Sequence, residues 1–337
     1  MKFASLITIA VAAAASAILA TPARAQQLSG AGASFPAPLY QRWAVEYNKL
    51  HSNVQVNYQS VGSGAGVKQF TQGTVDFAAS DAAMSDEEIA KVKQGVVMIP
   101  ATAGSIVVAY NLPEVKDLKL SRDAYVGIFL GKVKKWNDPA IAKDNSGVTL
   151  PDTPINVAYR SDGSGTTFVF TKHLAAISKD FADEVGVDKS VTWPVGAGGK
   201  GNEGVTALIK QTPGTVGYVE YGYAVNNGLS MASLQNKSGN FVKPTDESGA
   251  ATLASVQFPE NLRVWPEDPS GPNDYPIATF TWLLLYKKYS DSAKLSALKD
   301  FVTYGVTDGQ KFSSELGYIP LPAAVVDKSK AALASIE

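Results

Sequence analysis

Two hydrophobic periods alternate along the chain. Phe35, Leu39, Trp43, Tyr47 and Leu50 recur every three or four residues, the spacing of one buried helix face, and the pattern opens just after Ser34 with Pro36 tolerated in its first turn. Val54, Val56 and Tyr58 then alternate with Gln55, Asn57 and Gln59, the period of a half-buried strand. Further runs predict strands over 75–79, 106–110, 155–160, 215–221 and 279–286, with helices between them. Ser85 followed by Glu88 has the form of a capping box, and the pattern over 295–304 predicts a helix that ends before Gly305. Such alternation implies α/β architecture with largely parallel sheets. Pro266, Pro269, Gly271, Pro272 and Pro276 punctuate residues 265–276, a linker-like passage and a candidate crossing between domains. The sequence shows no internal repeat and no low-complexity segment.

The first residues follow another rule. Lys2 precedes an apolar run over 3–20, and Ala23-Arg24-Ala25 follows it. This is the form of a secretory signal with cleavage after Ala25. A membrane anchor is the alternative, since the run approaches the length needed to span a bilayer; its alanine content and the A-x-A site favour export. The expected mature chain begins at Gln26, and its expected location is the periplasm.

Composition narrows the chemistry. A chain of 337 residues with 45% apolar and 18% charged residues suggests about two globular domains, each able to bury a core. Its 30 basic and 31 acidic residues nearly cancel, so no global field recruits nucleic acid or an acidic membrane. There is no cysteine, which removes disulfides, thiol nucleophiles and thiolate metal sites together. With only His51 and His173, and with no ligand spacing among the carboxylates, neither a metal nor another cofactor is expected.

Small polar residues gather where strands give way to helices: Gly30-Ala31-Gly32-Ala33-Ser34-Phe35, Gly62-Ser63-Gly64-Ala65-Gly66, Ala79-Ser80-Asp81 and Arg160-Ser161-Asp162-Gly163-Ser164-Gly165-Thr166. Free N–H groups at a helix start form a ready anion site, and glycine lets a ligand approach the backbone. Taken singly, Ser34, Ser63 and Ser164 read more readily as plain N-caps. Arg160, on a strand end with hydroxyls four and six positions later, adds a forked donor that stays charged at any relevant pH. Asp162 would hold that guanidinium in place, or else serve as a turn residue.

Other motifs compete for these functions. Gly196-Ala197-Gly198-Gly199-Lys200-Gly201 satisfies G-x-G-x-x-G, but the preceding 191–195 is a poor strand interrupted by Pro194, so the dinucleotide context is missing. Pro194 also stands where a phosphate-binding P-loop needs glycine, and Lys200 is not followed by Ser or Thr. A phosphoester hydrolase with Ser164 as nucleophile and His173 as base would lack the G-x-S-x-G elbow, since Asp162 and Thr166 flank the serine at two residues.

The segments Gly30-Ala31-Gly32-Ala33-Ser34-Phe35-Pro36-Ala37-Pro38, Thr74-Val75-Asp76-Phe77-Ala78-Ala79-Ser80-Asp81-Ala82 and Asp162-Gly163-Ser164-Gly165-Thr166 resemble the periplasmic phosphate-binding proteins of bacterial ABC-type phosphate importers. Gly131-Lys132-Val133-Lys134-Lys135-Trp136, Gly198-Gly199-Lys200-Gly201-Asn202 and Gly217-Tyr218-Val219-Glu220-Tyr221 extend the resemblance over essentially the whole mature chain. It implies a non-enzymatic binding protein of the two-lobed periplasmic-binding-protein fold (type II), each lobe a central sheet flanked by helices, with a hinge between them. The expected division is 26–103 with 276–337 as the first lobe and 104–275 as the second. The implied phosphate ligands are Ser34, Phe35, Ser63, Asp81, Arg160, Ser164, Gly165 and Thr166, with Asp162 in support. Many relatives carry Thr where this chain has Ser34. The implied partners are inorganic phosphate, or another tetrahedral oxyanion, and the membrane subunits of an importer; a monomer is expected. Asp81 then becomes the discriminator, because protonated phosphate can donate to a carboxylate and sulfate has no proton to give.

Overall fold

The computed structural model describes residues 25–254 and 256–337; the expected leader lies outside them except for Ala25. The chain begins with β1 (Gln26–Gly32), α1 (Ala37–Leu50), β2 (Val54–Ser60), α2 (Ser63–Thr71) and β3 (Phe77–Ser80). The short α3 (Asp86–Ile89) leads into the long β4 (Val96–Tyr110). Next come β5 (Lys119–Leu120), α4 (Arg122–Phe129), α5 (Pro139–Ala142), β6 (Asn156–Arg160), α6 (Gly165–Ile177) and α7 (Lys179–Glu184). Then follow β7 (Ala197–Gly199), α8 (Gly201–Gln211), β8 (Thr215–Glu220) and α9 (Tyr221–Asn226). Short strands β9 (Ser230–Met231), β10 (Ser233–Gln235) and β11 (Phe241–Val242) precede α10 (Asp246–Ala254). The chain closes with β12 (Ala278–Tyr286), α11 (Ser292–Val306) and α12 (Ala323–Ala334).

Eight strands run in the order β2-β1-β3-β12-β4-β8-β6-β7, with β9 beside β4. The flanks are parallel, as the alternation of strands and helices requires: β1 pairs β2 and β3, and β6 pairs β7 and β8. The centre is not. β12 runs antiparallel to both β3 and β4, and β4 runs antiparallel to β8. The reason lies in β4, whose first part pairs β12 up to Ser105 and whose last five residues, from Ile106, pair β8. One strand thus serves two sheets, and the expected sheet of each half is joined to the other in a single hydrogen-bonded path.

The strand expected over 106–110 is only the end of β4, because Pro100 and Gly104 interrupt the pattern upstream. The capping box is formed, with Glu88 N donating to Ser85 Oγ at 3.2 Å and Ser85 N to Glu88 Oε2 at 3.0 Å. Gly305 does not end α11 but lies inside it: a Cβ there would stand 2.6 Å from the Trp43 ring. The glycine is therefore a packing requirement. Trp43, Trp136 and Trp282 are buried in the core, as their apolar settings imply. No helix among the described residues is long and apolar enough to cross a membrane.

Candidate functional site

The site is assembled from the carboxyl ends of strands on both flanks. β1 delivers Ser34 and Phe35, β2 delivers Ser63 at the first turn of α2, β3 delivers Asp81, and β6 delivers Arg160 just before α6. Two glycines allow these ends to meet. Gly62 has φ +90° and passes so close to Asp162 that a Cβ would lie 2.2 Å from its Oδ2. A Cβ on Gly165 would stand 2.6 Å from both Asp81 Cβ and Ser63 Oγ. The start of α6 thus closes directly onto the end of β3.

Three hydroxyls in this cluster share one arrangement. Ser34 Oγ accepts from Asn202 N at 3.0 Å and from Asn202 Nδ2 at 2.9 Å. Ser63 Oγ accepts from Gly165 N at 3.0 Å and Asp81 N at 3.3 Å. Thr166 Oγ1 accepts from Arg160 Nη1 at 3.2 Å and Asn202 Nδ2 at 3.3 Å. A hydroxyl has two acceptor lone pairs and one proton. With both lone pairs occupied, each can act further only as a donor. The N–H groups of Ser34 and Phe35 meet no protein acceptor among the described residues, and Thr166 N, at the second position of α6, lies among the N–H groups a helix leaves free.

Arg160 is held rigidly. Its Nε donates to Asp162 Oδ1 at 2.8 Å and its Nη2 to Asp162 Oδ2 at 2.6 Å, a bidentate pair with the guanidinium buried. Gly201 N adds a third bond to Asp162 Oδ1 at 2.9 Å. Burial works against the charge of Asp162, but the bonds from Arg160 outweigh it and hold the carboxyl below its usual range. Asp162 therefore positions the guanidinium, the role weighed against that of a turn residue.

Asp81 has the opposite environment. Burial pushes its carboxyl up to about 7, against the pull of Thr281 and Arg160. Thr281 Oγ1 donates to Asp81 Oδ1 at 2.7 Å, and Trp265 Nε1 donates to its carbonyl oxygen at 3.2 Å. One acid among hydroxyl and N–H donors is an arrangement that can hold an anion and accept a proton from it.

Of the three serines readable as caps, Ser164 alone caps a helix, its Oγ accepting from Thr167 N at 3.0 Å. His173 is buried on α6 with its Nε2 paired to Tyr125 OH at 3.0 Å, and burial lowers its pKa to about 4. It makes no hydrogen bond to Ser164, so the nucleophile–base pair of a hydrolase is not assembled. Phe35 enters through its main chain, its carbonyl accepting from Tyr318 OH at 2.7 Å.

Two residues that bond the functional side chains of this cluster are not among the expected site residues. Asn202 lies at the second position of α8, directly after the G-x-G-x-x-G run, whose middle is β7 and whose last glycine opens α8. Strand, turn and helix do follow one another there, but the helix start points its N–H groups at Ser34 and Asp162. Thr281 is one of two threonines in an otherwise apolar, fully buried strand, and a buried hydroxyl in such a run needs a partner. That signal could have found it.

A family model described as a PBP superfamily domain matches residues 19–308. The "Phosphate-binding protein PstS" of Pasteurella multocida (strain Pm70) is 45% identical over 312 residues, covering 91% of this chain and 90% of that protein. The protein of the same name from Haemophilus influenzae (strain ATCC 51907 / DSM 11121 / KW20 / Rd) is 45% identical over 313 residues, covering 91% and 92%. Among solved structures, a high-affinity periplasmic phosphate-binding protein bound with phosphate superposes with a TM-score of 0.74 over 91% of this chain and 93% of that one, at 22% identity. That likeness speaks for the fold.

Proposed function

This chain belongs to the PBP superfamily and, within it, to the phosphate-binding proteins, and from that premise we propose that it captures one inorganic phosphate between two lobes and hands it to the membrane subunits of an ABC importer. It is a binding protein and not an enzyme. It works as an exported monomer in the periplasm, released from its leader after Ala25.

The first lobe comprises 26–103 and 276–337 and the second 104–275. What supports this division is that β4 changes partner after Ser105, from β12 to β8, and that β12 then pairs back with β3. Phosphate is gripped from the first lobe by Ser34, the N–H of Phe35, Ser63 and Asp81, and from the second by Arg160, Ser164 and Thr166. Gly165 joins the set through Ser63, whose Oγ takes its N–H. Closure follows because only the closed arrangement offers all these donors at once.

The observation that carries this reading is the saturation of the Ser34, Ser63 and Thr166 hydroxyls by N–H donors, which leaves Ser34 and Ser63 to donate outward while Thr166 also bonds Asp81. Around such a ring only Asp81 can accept a proton from the ligand. Ionised Asp81 therefore favours protonated phosphate and penalises sulfate, which would face the carboxylate with no hydrogen bond. Calorimetry on phosphate-stripped protein tests it: phosphate binds one to one and sulfate far more weakly, whereas equal affinity for the two overturns the reading. Asp81→Asn removes the preference.

A further inference from the structure

We propose that Thr281 is a positioning residue for anion selection, its hydroxyl holding one oxygen of Asp81 so that the other stands as the acceptor for the ligand's proton. The proposal rests on the reading of Asp81 as discriminator. Thr281 is fully buried on β12. Because Trp282 pairs Ser80 in the antiparallel β3–β12 register, the next position along places Thr281 opposite Asp81, just past the end of β3. The ladder between β12 and β4 shifts at this point: Thr281 faces Thr102 while Trp282 faces Pro100, so Ala101 is the extra residue. Such a bulge bends the strand and re-aims the side chains beside it. Ala101 is fixed in that place by Gln310, whose Nε2 donates to its carbonyl oxygen at 2.9 Å.

Asp81 is faced from every element packed against it. β6 contributes Arg160, the turn after β6 contributes Asp162, α6 contributes Thr166, and β12 contributes Thr281. Buried phenols on α1 (Tyr40), β2 (Tyr58) and beyond α11 (Tyr318) have their pKa pushed well above the usual value by burial first, with the charge of Asp81 adding to it, so they stay neutral. Glu220, at the end of β8, is a second buried acid that burial raises well above its usual value. Arg160 is already committed to Asp162 by two bonds. That leaves the Thr281 hydroxyl, at 2.7 Å, as the stronger of two hydroxyl donors to the Asp81 carboxylate, with Thr166 as the weaker, and a donor to the ionised form favours ionisation. Without it, burial prevails further and Asp81 takes up a proton at higher pH. A protonated Asp81 becomes a donor, which sulfate accepts.

Sulfate is the clean probe, since it does not titrate near neutrality and its affinity reports the site's own proton. In wild type, sulfate binding measured by calorimetry between pH 5 and 9 strengthens as pH falls through the Asp81 transition. Thr281→Val is expected to move that midpoint upward by about one unit, which tightens sulfate about twofold at pH 7 and roughly tenfold at pH 9, above both midpoints. Thr281→Ser restores the wild-type curve, and Asp81→Asn flattens it. Melting temperatures of all variants, with Thr281→Ala as a second hydroxyl deletion, verify that each is folded. Two failures are distinguishable. If Asp81→Asn keeps the pH dependence, the discriminator reading is wrong. If Asp81→Asn is flat while Thr281→Val and Thr281→Ala retain the wild-type midpoint, or Thr281→Ser behaves as Thr281→Val, the role of Thr281 is overturned.

Discussion

The two faces of the cleft solve opposite electrostatic problems. On the face built from β6, α6 and α8, the buried charge is a cation, and a carboxylate two residues away in sequence meets it with two short bonds. That pair is local, bidentate and nearly self-sufficient. On the face built from β1, α2 and β3, the buried charge is an acid with no cation bonded to it; hydroxyls alone bond its carboxylate, chiefly Thr281, far along the chain, and also Thr166, and burial prevails. The difference teaches that affinity and selection are separable here. On the proposed reading, the neutralised guanidinium would grip any oxyanion and the half-compensated acid would choose among them.

The largest effect should come from breaking the strong face. Arg160→Met removes the forked donor and strands Asp162 as a buried, uncompensated carboxylate, a loss of about 3–5 kcal/mol. Phosphate binding by calorimetry is expected to fall about a thousandfold or more, with a lower melting temperature as well. Next comes the seam where the faces meet. Gly165→Ala places a Cβ 2.6 Å from Asp81 Cβ and Ser63 Oγ, which props the cleft open; affinity should fall roughly a hundredfold, and small-angle scattering should show less compaction on adding phosphate.

Smaller is the effect of Asn202→Ala. It deletes the amide donors to Ser34 and Thr166 but keeps the main-chain bond from Asn202 N to Ser34 Oγ. The loss should be about 1–1.5 kcal/mol, or roughly tenfold in affinity. The gentlest test sharpens the comparison by pH alone. Asp81 has a raised folded pKa, so the closed form holds its proton where an open, solvated one would lose it. That contribution is complete below the ordinary carboxylate range and disappears as pH rises through about 7. Scattering from phosphate-free protein should therefore show a smaller mean radius at pH 5.5 than at pH 8.5, and Asp81→Asn should abolish the difference.

How much of this was legible in the sequence depends on how far apart the partners lie. Ser34, Ser63, Asp81, Arg160 and Thr166 each sit in a Gly- and Ser-rich turn beside a strand, where short-range pattern carries the signal. Arg160 and Asp162 are two residues apart, so their pairing could be foreseen. Asn202 reaches Ser34 across 168 positions and Thr281 reaches Asp81 across 200, and no local period encodes such meetings. β1 is absent from the predicted strands for a different reason: its glycines and polar residues mask the alternation, yet Leu28, Gly30, Ala31 and Gly32 are buried between β2 and β3. The antiparallel centre is also hidden, because β4 and β12 pair across about half of the chain's length and their order follows only from the way the chain returns.

The strand shared by both sheets has one further consequence. Because β4 is hydrogen-bonded to β12 on one stretch and to β8 on the next without a break, neither half of the protein can lose its sheet without stripping partners from the same continuous backbone. The halves should therefore denature together, as one calorimetric transition in place of two, and the slowest-exchanging amides of the molecule should form an unbroken run along that strand.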